Sequence, residues 1–458
     1  MLVDSHAHLD DERFAQDRDE VIMRAVESGV AFLICPGTDL RTSRLADELA
    51  RRYSFIYAAA GVHPHEAAEA TDADFDEIRR LAASDRVVAI GEIGLDYWRD
   101  LSPREIQRKA FVRQLQLALE LELPVIVHVR EAHGDAEAIL KEHLSGGKLR
   151  GVLHCYSGPL EWAETALKLG FYIGFAGPLT YANASDLRRV AEAVPIERIM
   201  VETDCPCLVP EPHRRGERNE PAFVRLVAEK VAEIKKLSYG DVCRTTGLAC
   251  ADLFDIPSAD ESQKVAYPIR NSLYLNITNR CSNRCTFCVR QKSAYVKGHQ
   301  LWLEHEPTFE EVTNAIGDPR KYDEVVFCGY GEPTERLDLV VRIARWLKDQ
   351  GVKVRLDTNG EGDLLNRRPI ATELAGLIDS VCVSLNTSDP KQYRSLCRSE
   401  FGDEAWPAIL RFIESCKLHV PEVEVTAVSA PGVDMKAVEE LAKKMGVLFR
   451  ARRYNEVG

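Results

Sequence analysis

Residues 2–200 repeat a single pattern, a short β-branched strand followed by a helical stretch rich in Ala, Leu, Glu and Arg. Strands are predicted at 2–4, 31–35, 56–61, 87–92, 125–128, 151–155, 172–176 and 199–203. Eight such units in roughly 255 residues fit a (β/α)8 barrel of the TIM type, closed by right-handed β-α-β crossovers. A doubly wound open sheet shares the same alternation. The polar residues decide between the two: almost every strand ends in His, Glu or Asp, as expected where a site is built on the C-terminal face of a barrel.

Those strand ends carry His6 and His8, His63 and His65, Glu92, His128, His154 and Asp204. Residues two apart on a strand point the same way, so His6 and His8 can grip one ion together. Imidazoles with carboxylates suit Zn, Mn, Fe or Mg, and a carboxylate such as Glu92 can bridge two ions. Two ions a few Å apart can activate water and stabilise the oxygen charges of a phosphoester displacement. A lone strand-end histidine is more often structural, but six metal-competent residues at five strand ends argue for a metal centre.

The segments Asp-Ser-His-Ala-His-Leu-Asp, Gly-Val-His-Pro-His, Ile-Gly-Glu-Ile-Gly-Leu-Asp, His-Cys-Tyr-Ser-Gly, Val-Glu-Thr-Asp-Cys-Pro and Gly-Glu-Arg-Asn-Glu-Pro span residues 1 to about 255. Together they resemble the TatD family of metal-dependent hydrolases, amidohydrolase-like barrels known as deoxyribonucleases. The resemblance implies that His6, His8, Glu92 and Asp204 hold one divalent ion and Glu92, His128 and His154 a second, with Mg, Mn or Zn as the metals. It also implies catalytic roles for Glu92 and Asp204, the latter as general base for the attacking water. DNA or another phosphoester is the expected substrate, although fold and ligands do not fix it. His63 and His65 are expected as phosphate contacts. Residues 212–221, after the last strand, carry the densest positive charge of this half, so Arg214 and Arg218 are expected to fork a phosphate; the same arginines can instead pair with Glu217 and Glu220.

Helical patterning ends near Phe254, and the polar, Pro-interrupted residues 257–266 read as a linker between a first domain, 1–256, and a second, 267–458. Within the second, Cys281, Cys285 and Cys288 stand four and three residues apart with no fourth Cys or His close by. Three thiolates on a short loop can hold three irons of a [4Fe–4S] cluster and leave the fourth open to a ligand that is not protein. Zinc would want a fourth protein ligand. Strands at 273–278, 324–328, 353–357, 380–385, 422–428 and 448–453, with helices between, predict a partial (β/α)6 barrel whose cysteine loop follows the first strand.

The Cys-x3-Cys-x2-Cys spacing with an aromatic before the last Cys resembles the radical SAM superfamily, in which S-adenosylmethionine (SAM) chelates the open iron. Residues 328–334, Cys-Gly-Tyr-Gly-Glu-Pro-Thr, are similar to that family's Gly-Gly-Glu stretch, with Tyr330 in place of one glycine. The resemblance implies SAM contacts at Gly331 and Glu332, at Thr358 and Asn359, and at Ser384 and Asn386. It also implies a 5′-deoxyadenosyl radical and a reductant such as flavodoxin or ferredoxin. Arg450, Arg452 and Arg453 on the last strand could meet a phosphate or carboxylate, or form surface ion pairs.

A hydrophobic share of 45% and a charged share of 29% are those of a globular protein, and no apolar run reaches the ~20 residues of a membrane span. The first residues enter a strand without a signal peptide, so a cytoplasmic protein is expected. Most of the 13 cysteines, Cys35, Cys328 and Cys382 among them, lie in apolar strand-like runs and read as reduced thiols. A net charge of −13 argues against a basic coat that grips long duplexes but allows nucleic-acid ends held by local cations. One reading joins the halves in nucleic-acid processing. The alternative makes the second a radical activase or modifier of a macromolecular partner or small molecule, beside an independent hydrolase.

Overall fold

A computed structural model describes residues 1–144, 149–213, 216–256, 262–291, 294–296 and 299–452. The chain divides into two units, Met1–Asp260 and Glu261–Gly458. Eight parallel strands in chain order build the first: β1 (Leu2–Asp4), β2 (Val30–Pro36), β3 (Ile56–Ala60), β4 (Val87–Asp96), β5 (Val125–Arg130), β6 (Gly151–Leu153), β7 (Tyr172–Phe175) and β8 (Ile199–Val201). Parallel neighbours in sequence order require crossover connections, which the intervening helices supply. The seam between β8 and β1 is closed by the Ser5 N–H on the Val201 carbonyl at 3.1 Å, a parallel bridge between Ala7 and Cys205, and the Asp204 N–H on the His6 carbonyl at 2.9 Å. All eight predicted strands are present, in a barrel rather than an open sheet.

Side chains alternate along these strands and so divide the core in two. Leu33, Ile56, Val125, Leu153 and Ile199 face the helical layer. Val3, Ile34, Tyr57, Ile126, Val152 and Met200 point the other way, into the barrel, and Leu253, Phe254 and Ile256 of the last helix and its end pack on them. That apolar plug leaves the opposite, C-terminal mouth for polar groups. Asp4 ties the seam there, accepting from the Thr203 N–H at 2.9 Å and the Thr203 hydroxyl at 2.6 Å.

The second unit contains β9 (Ala266–Ile269), β10 (Ser272–Leu275), a two-stranded ribbon of β11 (Tyr295–Val296) and β12 (His299–Gln300), β13 (Glu324–Phe327), β14 (Val354–Thr358), β15 (Ser380–Ser384), β16 (Glu422–Val428) and β17 (Leu448–Arg452). Its main sheet runs β17-β16-β15-β14-β13-β10-β9. The six predicted strands are the parallel ones, and β9 is an added antiparallel partner of β10. Part of the expected linker therefore belongs to this unit: Ala266 opens β9, the Lys264 N–H meets the Gln300 carbonyl at 2.9 Å, and the Val265 carbonyl receives the Asn276 N–H at 2.8 Å. Polar composition hid that pairing because an edge strand bonds through its backbone, whatever its side chains. Residues 257–261 lie outside the described residues. No described helix is long and apolar enough to cross a membrane.

Strand β4 runs to ten residues by way of a register shift between Ile90 and Ile93. Gly94 there has φ +142°, and a Cβ would drive into the His128 carbonyl oxygen of β5. Gly94→Ala is expected to destabilise the first unit by about 3 kcal/mol, seen as an earlier urea transition by far-UV circular dichroism.

Candidate metal centre and cluster loop

Glu92 lies at the middle of the barrel mouth, buried, with its two oxygens facing different neighbours. Its Oε2 lies 3.2 Å from His6 Nε2 and 3.3 Å from His8 Nε2. Its Oε1 lies 2.8 Å from His154 Nε2, 3.0 Å from His128 Nδ1 and 3.4 Å from His63 Nε2. Asp204 joins the first set, with Oδ1 3.5 Å from His8 Nε2 and 3.8 Å from His6 Nε2. The loop after β1 supplies His6 and His8, the loop after β3 His63, β5 His128, the loop after β6 His154, and the turn after β8 Asp204.

Burial pushes the Glu92 carboxyl up, but His154, His63 and His6 outweigh it and hold the group well below the usual carboxylate range. Asp204 is held down the same way, His8 being its strongest partner against burial. Burial drives His63 down to about 4. No Lys or Arg among the described residues forms an ion pair with Glu92 or Asp204; histidines are their ion-pair partners. Buried Glu92 and half-buried Asp204 among the ring nitrogens of His6, His8, His128 and His154 form a mixed imidazole and carboxylate donor set that suits divalent cations. The groups His6, His8 and Glu92, and His63, Glu92 and His128, each bring their ligand atoms within 4.8 Å of one another.

Outer partners orient these rings. Asp96, at the end of β4, places Oδ2 3.2 Å from His128 Nε2 and 3.0 Å from His65 Nε2. The Pro36 carbonyl lies 3.2 Å from His8 Nδ1, and Asp10 Oδ1 3.6 Å from it. Buried Glu202 sits 3.6 Å from His154 Nδ1 and accepts from the Ser5 hydroxyl at 3.1 Å and from the Cys155 N–H. Asp10, Asp96 and Glu202 were not singled out from sequence, although Asp96 ends the Gly-Leu-Asp run and Glu202 precedes Thr203. Acidic residues number 72, so only the fold separates these three from the rest.

Of the four residues expected to touch phosphate, three have partners within the described structure. His63 packs against Glu92, inside the cluster rather than around it. Arg218 is committed to the structure: it donates to Asp17 at 2.8 and 2.6 Å, to Glu220 at 3.0 Å and to the Arg13 carbonyl at 2.9 Å, and it covers Phe14. Glu220 is the partner the ion-pair alternative names, and Asp17 is an added one. His65 stands on Asp96, and Arg214 lies outside the described residues.

In the second unit Cys281, Cys285 and Cys288 follow β10 on a loop braced by segment 396–400. The Arg284 N–H meets the Cys397 carbonyl at 3.0 Å, the Thr286 N–H the Leu396 carbonyl at 2.9 Å, and the Glu400 N–H the Ser282 carbonyl at 2.9 Å. The fold thus brings a fourth thiol to the loop, for Cys397 hydrogen-bonds Cys285, and this contact with burial holds the Cys285 thiol protonated. Burial, then Glu332, pushes Cys281 up to about 12. Beside the loop lies a cavity of about 990 Å3 whose lining includes Cys281, Cys288, Asn283, Arg290, Trp302 and Tyr330.

Three of the expected SAM contacts, Glu332, Thr358 and Asn359, form a buried hydrogen-bonded group tied to this loop through Ser282. Glu332 accepts from the Thr334 N–H and hydroxyl at 3.1 and 2.6 Å, the Thr358 hydroxyl at 2.7 Å and the Asn359 N–H at 2.7 Å. Asn359 donates onward to the Ser282 hydroxyl at 2.9 Å. Gly331 lets its loop lie on the Thr278 and Arg280 carbonyls, which a Cβ would strike. Asn386 donates to the Ser384 carbonyl at 3.1 Å and to Cys397 Sγ at 3.7 Å. Arg450 pairs with Glu424 at 2.7 Å, Arg452 is exposed, and Arg453 lies outside the described residues.

Residues 3–255 match the family described as TatD related DNase, more than half of the chain. The chain belongs to the TatD-related DNase family. To this TatD unit is joined a radical SAM domain, residues 275–445 matching the Radical SAM superfamily. Similar proteins include the uncharacterized metal-dependent hydrolase YabD of Bacillus subtilis, 43% identical over 256 residues, which cover 56% of this chain and all of that one. The 3′-5′ ssDNA/RNA exonuclease TatD of Escherichia coli K12 is 38% identical over 260 residues, 56% of this chain and 99% of its own. Among solved structures, the TatD homolog YJJV of E. coli K12 matches with a TM-score of 0.53 and 31% identity, over 56% of this chain and 98% of that one. A TatD metal-dependent hydrolase and a radical SAM domain make this an enzyme, and they imply divalent metals and an iron–sulfur cluster with SAM. Asp96→Asn is expected to weaken Mn2+ binding about 10- to 100-fold, because outer partners set ligand orientation; calorimetric titration of the metal-free chain checks it.

Proposed function

We propose that the TatD unit is a two-metal phosphodiesterase acting on nucleic-acid ends, and that the second unit cleaves SAM reductively. The split of Glu92, one oxygen toward His6 and His8, which Asp204 also meets, and the other toward His128 and His154, carries the hydrolase reading. In this reading His6, His8, Glu92 and Asp204 hold one ion of the Mg, Mn or Zn class, and Glu92, His128 and His154 the second, with His63 in reach of Glu92. Such ions supply water activation and neutralise charge on a phosphate. Asp204, ionised because the histidines hold its carboxyl low, accepts the proton of the attacking water at its Oδ. Asp96 keeps His128 in the orientation that presents Nδ1 to the site. Nucleic acid as substrate is supported by the relative named as a single-stranded DNA and RNA exonuclease.

For the second unit we propose that Cys281, Cys285 and Cys288 hold a [4Fe–4S] cluster and that SAM occupies the adjoining cavity. With an electron from a flavodoxin or ferredoxin, the cluster supplies cleavage of SAM to methionine and a 5′-deoxyadenosyl radical. In this reading Gly331, Glu332, Thr358, Asn359, Ser384 and Asn386 contact SAM, supported by the bond from Asn359 to Ser282 on the cysteine loop. Iron loading must displace protons from the raised thiols, so binding releases protons.

Asp204→Ala is expected to lower metal-stimulated release of nucleotides from single-stranded DNA about 10²–10⁴-fold while sparing 5′-deoxyadenosine formation. Cys285→Ala should do the reverse. Chromatography of both products under anaerobic conditions checks the pair, and a folded variant that lost both activities would replace two centres with one composite site.

A further inference from the structure

Beyond Asp96 the chain turns at once. The backbone N–H groups of Trp98 and Arg99 donate to Asp96 Oδ1 at 3.0 and 2.8 Å, while Oδ2 faces His128 and His65. The carboxylate that orients two histidines therefore also fixes where Trp98 stands. The Trp98 side chain takes part in neither apolar core of the barrel, and the residue is 57% exposed.

Its neighbours are cations. The Arg130 guanidinium lies 3.8 Å from the indole centroid and that of Arg99 5.7 Å. Arg130 is two residues past His128 on β5, so it leaves the strand on the same side as that histidine, toward the mouth. An exposed indole with one guanidinium close against its ring and a second nearby fits a flat, electron-rich ring attached to phosphates. Single-stranded nucleic acid is held that way, by stacking that tolerates any base and by local positive charge.

We propose that Trp98, with Arg130 and Arg99, is a stacking platform for an unpaired base at a single-stranded end, holding the nucleotide beside the scissile phosphate in register with Glu92. The assignment rests on the nucleic-acid reading above. Bases inside a duplex have both faces covered by their neighbours, so the platform favours single strands and frayed ends without reading sequence.

The test uses the full chain with Mn2+ and a 5′-labelled ten-nucleotide oligo(dA), intact or carrying one abasic residue at each of the three 3′-terminal positions in turn. For wild type, the abasic residue at one position should raise KM about tenfold and change kcat less. Trp98→Ala should raise KM about tenfold on the intact strand and erase the abasic penalty, and Trp98→Phe should keep most of both. A flat abasic profile in wild type, which needs no variant to fold, overturns the platform. So does a Trp98→Ala chain whose penalty equals that of wild type, as would occur if this tryptophan served a protein partner. A wild-type chain that hydrolyses bis(p-nitrophenyl) phosphate but no oligonucleotide would instead sink the nucleic-acid reading, and the platform with it.

Discussion

A carboxylate withdrawn from water costs several kcal/mol unless partners replace its hydration. Glu92 meets that cost by taking imidazoles on both oxygens, from four separate strand ends. The barrel is what makes this feasible. Parallel strands bring residues that are distant in sequence to one mouth, and the apolar plug at the other end keeps water from the floor beneath them. Glu92 can sit there because β4 passes close to β5, with glycine at Gly94 where the backbones approach most nearly. Asp96, further along the same strand, then sets the outer shell.

The two units prepare their sites in opposite electrostatic states. In the barrel the carboxylates are already ionised and hold His8, His128 and His154 protonated beside them, so a cation entering there takes the place of protons. At the cysteine loop, burial and the Cys285–Cys397 contact keep the thiols protonated, and the loop is held in shape by backbone bonds to segment 396–400 and by the ring through Glu332, Thr358, Asn359 and Ser282. Shape there comes first and charge arrives with the iron.

Both barrels were readable from strand spacing, and the six strand-end residues do converge, because periodicity and the position of polar groups at strand ends are local signals. The ring through Glu332 was less readable: a carboxylate in a Gly-Glu turn looks the same whether it faces a ligand or the protein. Arg218 illustrates a related limit, since its partner Asp17 lies far away in the chain. Asp96 and Glu202 stand within recognisable runs, yet nothing local distinguishes a residue that supports a histidine from one that caps a turn. Strand β9 was lost for a different reason. Its neighbourhood is polar, and edge pairing is written in backbone geometry, not in side-chain pattern.

The bonds that shut the seam pass through the backbones of His6 and Asp204, and Ser5 reaches Glu202 across 197 residues of chain. Contacts of that span form late, after intervening segments are in place. A ribosome that has released β1 to β7 has therefore produced a row of histidines without Asp204 or the seam that fixes them, and the hydrolytic centre comes into being only after β8 and its turn emerge. The TatD half thus carries its own timing: its hydrolytic centre cannot assemble until the barrel is closed.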